Sequence, residues 1–346
     1  MVKLSLLTKI LPVCCVLFAC VGPGDDSSPA GAPLEIHRFE RALFAIDTTQ
    51  FAASMQKLAE RYPSFFNTHF RNIFGVIPGD TVQMLSGDPA PFRSIRKVVS
   101  NPYVRTVASD IDSVYPDLER VGASLSAAFA RYGEFFPLEP VPAVFTYPAS
   151  ISGFRPTVWN ADSLLAIGID CFLGADYYYY RTTTFPRYIT RRFTPDHLVP
   201  TALKGYIQYH FPPPVPGQET FLSAMIHEGK VLYLLDRLLP GTADSLKIGY
   251  TSEQMNWAAD YERDIWAWFI QRDLLYSSVS RDYSKYLDEA PFTTDLGPHS
   301  APRVGAFTGW QIVRKYMEEN KATTPADLMD MTDAQQILNK SGYKPR

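Results

Sequence analysis

From Leu34 to Tyr132 the apolar residues recur mostly at spacings of three and four, the period of helices with one face against a core. Residues 35–44 (EIHRFERALF) start extended, with apolar side chains on one side. Thr48 to Arg61 predicts a helix that stops at Tyr62-Pro63, because a residue before proline avoids the helical region. Pro102 to Asp112 and Tyr115 to Tyr132 predict two more, the second with Leu118, Val121, Leu125, Ala128 and Phe129 on one stripe. The period then changes. Val141 to Tyr147 (VPAVFTY) and Ser163 to Phe172 (SLLAIGIDCF) are short apolar runs bounded by Pro, Gly and Asp, the pattern of strands. The second is almost wholly apolar, so it is expected to be covered on both faces.

After Pro200 the pattern is helical again. Glu219 to Leu239 predicts an amphipathic helix that ends at Leu239-Pro240-Gly241. Ser252 to Leu275 predicts the next, entered through Thr251-Ser252 with Glu253 and Gln254 in its first turn. Thr308 to Asn320 and Pro325 to Leu338 follow. There is no internal repeat. Helices, a few strands and helices again make a mostly helical α+β protein.

The first residues change the picture. Lys3 and Lys9 give a positive start, and Ile10 to Ala19 is an apolar run too short to span a bilayer with ease. Leu17-Phe18-Ala19-Cys20 reads as a lipobox, with lipid expected on Cys20; the competing reading is an ordinary secretory signal with an incidental cysteine. Val21 to Pro33 (VGPGDDSSPAGAP) has the composition of a flexible linker. The expected organisation is a signal over residues 1–19, a lipidated cysteine and linker over 20–33, and one domain over 34–346. That places the protein in the cell envelope, membrane-bound through its lipid anchor, with the outer membrane as the expected site, on either its periplasmic face or the cell surface. Asp25-Asp26 is either a surface-sorting signal or solvated linker. Of the four cysteines, Cys14 and Cys15 leave with the signal, and Cys171 lies in an apolar run as a small core residue. A formal net charge of −3 argues against a nucleic-acid partner, and 46% apolar residues support a sizeable core.

One constellation suggests chemistry. Glu228 follows His227 on the Glu219–Leu239 segment, with Ala224, Met225, Val231 and Leu232 one turn away. A carboxylate on an apolar stripe is costly unless paired, liganded or protonated. Glu262 repeats the pattern among Ala258, Ala259, Ile265 and Trp266. A gluzincin peptidase has this layout: His-Glu-x-x-His on one helix and a third ligand, Glu, from a later one. Here the second histidine position holds Val231, and Lys230 adds a positive charge. The alternatives are a zinc hydrolase using His227, Glu228 and Glu262, with a further ligand such as His210 or His299, and a buried polar network. In the network, His227 and Glu228 bond Lys230, Glu262 or Arg303 and no cofactor is bound.

Several stretches stand out together: EIHRFERALFAID (35–47), FLGADYYYY (172–180), the run from Pro186 through RRFTPDHLVPTALKGY to Tyr206, EGKVLYLLDRLLPGTADSLKIGYT (228–251) and APFTTDLGPHSAPRVGAFTGWQIVRKYME (290–318). In this order they resemble one family, the gliding-motility lipoprotein GldB family of Bacteroidetes. The resemblance implies an envelope lipoprotein that supports gliding motility, and the type IX secretion machinery that accompanies it, through contacts with other envelope proteins. It also implies a distant similarity to zincin-like peptidases: a few strands packed against a central His-Glu helix, then a glycine segment, here Gly305-Ala306-Phe307-Thr308-Gly309. On that reading the chain is a non-catalytic zincin relic whose cleft includes Lys230, Arg303, Gly305 and Gly309. The alternative is a membrane-tethered metallopeptidase, or a peptide- or glycan-binding module in the same cleft.

Overall fold

A computed structural model describes residues 34–66, 90–149, 159–161, 163–182, 185–213 and 219–345. The signal, Cys20 and the linker lie outside the described residues. In chain order the main elements begin with β1 (Ile36–Arg38), α1 (Phe39–Phe44), α2 (Phe51–Arg61), α3 (Ala90–Val99), α4 (Pro102–Val114) and α5 (Glu119–Phe135). Then come β2 (Ala143–Tyr147), β3 (Trp159–Ala161), β4 (Leu164–Gly168), α6 (Pro195–His210) and α7 (Phe221–Leu238). The remainder is α8 (Asp244–Ile248), α9 (Ser252–Asp260), α10 (Glu262–Gln271), α11 (Val304–Glu319), α12 (Pro325–Asp330) and α13 (Ala334–Ser341).

The strands form one small sheet in the order β1-β2-β4-β3, with β3 antiparallel to β4 and the other pairings parallel. In register, Ile36 faces Val144 and Val144 faces Leu165. All five residues of β4 are buried, as its unbroken apolar run requires. The sheet is tied to α1 by Glu40, which is 1% exposed. Its carboxylate accepts from Arg38 Nε at 2.8 Å and from Thr146 Oγ1 at 2.5 Å, so a buried charge is fully engaged.

The centre of the molecule is α7, which packs on α5, α6, α8, α11, α12 and α13. Its most extensive contact is with α11. Gly229 and Gly309 lie at their crossing: a Cβ added at Gly229 would stand 2.8 Å from Trp310 N. At the far end of α7, Asp236 accepts from Arg314 Nε at 2.8 Å, Trp310 Nε1 at 2.9 Å and Lys247 Nζ at 2.9 Å. That knot joins α7, α8 and α11.

The observed fold is mostly helical α+β, with four differences from the expected elements. The expected Ser252–Leu275 helix is two, broken at Tyr261, because the polar run Asp260 to Asp264 offers no buried side chain to hold the helix in register. The expected Pro325–Leu338 helix is also two, since Asp333 caps α13 by accepting from Gln336 N at 2.9 Å. α6 begins at Pro195 and keeps Pro200 inside it; Pro195 occupies the first turn, where its missing N–H costs nothing. Finally, the sheet's β3–β4 edge packs on α6, which in turn packs on the His-Glu helix α7.

Candidate functional site: a buried charge cluster beside a cavity

Thr220 caps the His-Glu helix, its Oγ1 accepting from Ser223 N at 3.2 Å. Two turns on, Glu228 meets the chain's late segment. Arg303 Nη2 donates to Glu228 Oε2 at 2.7 Å, and Lys204 Nζ, from α6, lies 3.5 Å from the same oxygen. Arg303 is 5% exposed. It also donates through Nη1 to Ile248 O at 3.1 Å and through Nε to Leu287 O at 3.3 Å. Its backbone is left-handed, with φ 52°, just before α11 begins. That conformation costs a non-glycine residue about 1–3 kcal/mol and persists here because three acceptors fix the guanidinium.

The charges explain one another. Burial alone would raise the Glu228 carboxyl, but Lys204 and Arg303 outweigh it and hold it down at about 2. Burial lowers Lys204 to about 8, with repulsion from Arg303 acting the same way and Glu228 and Glu289 acting against it. Arg303 is raised despite its burial, because Glu228 and Glu289 favour its charge. Glu289 lies 3.8 Å from Arg303 Nη1 and accepts from Arg192 Nη1 at 2.8 Å. His197 is pushed down to about 4, first by burial and then by Arg192, so it is neutral at pH 7.

Arg192, His197, Lys204, Glu289 and Arg303 line one cavity of about 520 Å³. α6 builds much of its wall: His197, Pro200, Thr201, Lys204, Gly205 and Gln208 form one face, while Leu198, Ala202, Leu203, Tyr206 and Ile207 face the core.

The other residues singled out from sequence go elsewhere. Lys230 is two positions, or about 200° of helix rotation, beyond Glu228. It therefore points away from it and donates to Met329 O at 2.7 Å and Met331 O at 2.8 Å, satisfying carbonyls at the end of α12. The cations beside Glu228 are thus Arg303 and Lys204, and the expectation that Lys230 charges this spot is corrected. Glu262 opens α10 half-buried and accepts from Tyr343 Oη at 2.8 Å, instead of sitting mid-helix on an apolar stripe. Burial raises its carboxyl. Burial lowers the His227 imidazole below its usual range, and among the described residues its buried Nε2 has no hydrogen-bond partner. His210 lies 3.8 Å from Glu139, on another part of α6. Gly305 and Gly309 lie within α11, not in a loop, and both pack at helix contacts.

An unpaired imidazole nitrogen is what a metal ligand would present, but the rest of the set does not fit zinc. Val231 occupies the second histidine position, and Glu228 is held by two cations. Among the described residues no group of three His, Cys, Asp or Glu stands close enough to hold a metal. No described helix is long and apolar enough to cross a membrane.

Fold and site together define a helix-rich α+β protein whose central carboxylate is locked in an ion-pair cluster at the wall of a cavity. A family model described as gliding motility protein GldB matches residues 25–345, and the chain belongs to that family. No curated protein and no solved structure matches it.

Proposed function

We propose that this protein is an envelope lipoprotein, held by lipid on Cys20 at the outer membrane, that supports gliding motility through protein contacts and not through catalysis. The type IX secretion machinery is included in that role. The observation that carries the non-catalytic part is the Glu228–Arg303 pair: a carboxylate held at about 2 by Arg303 and Lys204 is a poor base at neutral pH. The His-Glu helix following the strands is read as the relic of a zincin, its metal position replaced by Val231 and by these cations.

Deletion in a gliding host is expected to abolish colony spreading. Complementation with His227→Ala is expected to restore it, whereas Cys20→Ala is expected to leave the protein soluble and motility lost. Normal spreading in the deletion strain would remove the motility role. Separately, the full chain dialysed against trace zinc is expected to retain far less than one zinc per chain. Near-stoichiometric zinc that His227→Ala loses would favour the tethered-peptidase reading instead.

A second reading is favoured by the cavity itself. It is open to solvent, lies within the roughly 300–1,000 Å³ typical of small-ligand sites, and mixes apolar with charged walls. The relic cleft is then a binding module.

A further inference from the structure

The charge around the cavity does not balance. Each nitrogen of Arg303 has one acceptor, Glu228 or one of two carbonyls, and Lys247 is taken up by Asp236 and Asp244. Arg192 spends only Nη1, on Glu289. Among the described residues Lys204 has Glu228 as its one close anion, at 3.5 Å, for an ammonium with three donors on a side chain 19% exposed. Arg191 stands behind this wall and donates to the carbonyls of Tyr188 and Gly249, with no carboxylate bonded to it. Among the described residues, three lining cations (Arg192, Lys204 and Arg303), with Arg191 behind them, therefore meet two close carboxylates, Glu228 and Glu289. Asp288 also lines the cavity and, like Glu289, is exposed, so water and salt screen both, whereas the cations are more buried. His197, neutral, adds a polar atom without charge; its Nδ1 is engaged with Thr194 Oγ1 at 2.8 Å.

An excess of partly buried positive charge with unspent donors is costly when empty of anions and favours a negatively charged ligand. Much of the remaining wall is apolar: Phe172, Ile189, Phe193, Leu246 and Leu287 line the same space, beside the polar Thr201 and Gln208. A bare inorganic anion would leave that wall uncovered. A group with one negative charge next to an apolar side chain uses both surfaces.

We infer that this cavity binds the C-terminal end of a peptide, its carboxylate seated between Lys204 and Arg192 and its last side chain against Phe172 and Phe193. The inference rests on reading the relic cleft as a binding module, and it is independent of the motility role. One carboxylate accepts from both cations, and the guanidinium plane of Arg192 suits it.

Calorimetry on the full chain in detergent tests this with three probes: N-acetyl-Ala-Leu-Phe with a free carboxylate, the same peptide as its C-terminal amide, and inorganic phosphate. The acid is expected to bind, and the amide to bind at least about tenfold more weakly, the loss of a charge-assisted bond. Lys204→Met is expected to cost the acid a similar factor. Should Lys204→Met fail to fold, Arg192→Gln provides the same test, because its surface pair with Glu289 contributes little to stability. Equal binding of acid and amide would overturn the inference. Binding of phosphate but not of the acid would keep the cleft as a binding site and overturn the peptide carboxylate. Binding of none of the three would overturn the ligand and the binding-module reading together.

Discussion

Arg303→Leu is expected to destabilise the protein by about 3–5 kcal/mol, read as a lower urea midpoint with an unchanged slope. The cost comes from what is left behind. Glu228 would keep its burial and lose the 2.7 Å bond, and the carbonyls of Ile248 and Leu287 would lose their donor. Lys204 would remain 3.5 Å away, which favours the lower end of that range. Arg303→Lys should recover part of the loss, because an ammonium keeps the charge but cannot reach three acceptors in one plane. Acid unfolding gives a second readout. The Glu228 carboxyl is depressed in the fold, from 4.5 to about 2. A depressed carboxyl contributes stability above its unfolded value and loses it as pH falls through its folded value. Wild-type stability attributable to this group is therefore full above about 4.5 and disappears towards about 2. In Arg303→Leu that acid limb should be shallower. A loss under about 1 kcal/mol with an unchanged acid limb would mean that the pair does not hold the fold.

How much of this was legible beforehand depends on whether the signal was local. β2 and β4 were, because an apolar run such as Leu164 to Gly168 needs cover on both faces and receives it, whereas the three-residue β3 carries no such run. The His-Glu helix was, because its period and its Pro-Gly stop are contained in one segment. Breaks inside helices were not, since Tyr261 carries no proline or glycine and only the missing burial around it marks the end. In the site, Arg303 was among the partners named for Glu228, on charge alone. Lys204, Arg192, His197 and Glu289 were missed, because they come from two stretches far apart in sequence and form no motif. One signal for Lys204 was present: it lies on the α6 face with His197, Pro200, Thr201, Gly205 and Gln208, a polar and small-residue stripe opposite a fully apolar one. A lysine on such a stripe reads as solvated until the late chain, with Arg303 and Glu289, is seen to cover it. Lys230 misled for the same reason: adjacency in sequence suggested proximity, while helix rotation sends it to the other side.

The largest single-atom effect is expected at the crossing of α7 and α11. Adding one methyl group with Gly309→Ala is expected to cost at least about 3 kcal/mol, the upper end of overpacking effects. On an exposed helix face the same change would help by about 1 kcal/mol, because alanine is the better helix former. Here its Cβ would overlap the carbonyl oxygen of Met225, and Met225 Cα would be only 3.1 Å away. Backbone atoms cannot rotate aside as a side chain can, so the helices must separate. Gly229→Ala meets the same obstacle from the other helix, at Gly309 and Trp310. Gly305→Ala is expected to be milder, since two of its three nearest atoms belong to the side chains of Phe221 and Leu287. Separation has a further consequence. Glu228 adjoins Gly229, and Arg303 immediately precedes α11, so moving the helices apart stretches the ion pair as well. The double variant Gly309→Ala/Arg303→Leu should therefore lose less than the sum of the two single losses, the mark of residues acting on one contact. Strict additivity would show that the crossing and the charge cluster stand independently. A Gly309→Ala loss below about 1 kcal/mol would show that the two backbones are not in contact at all.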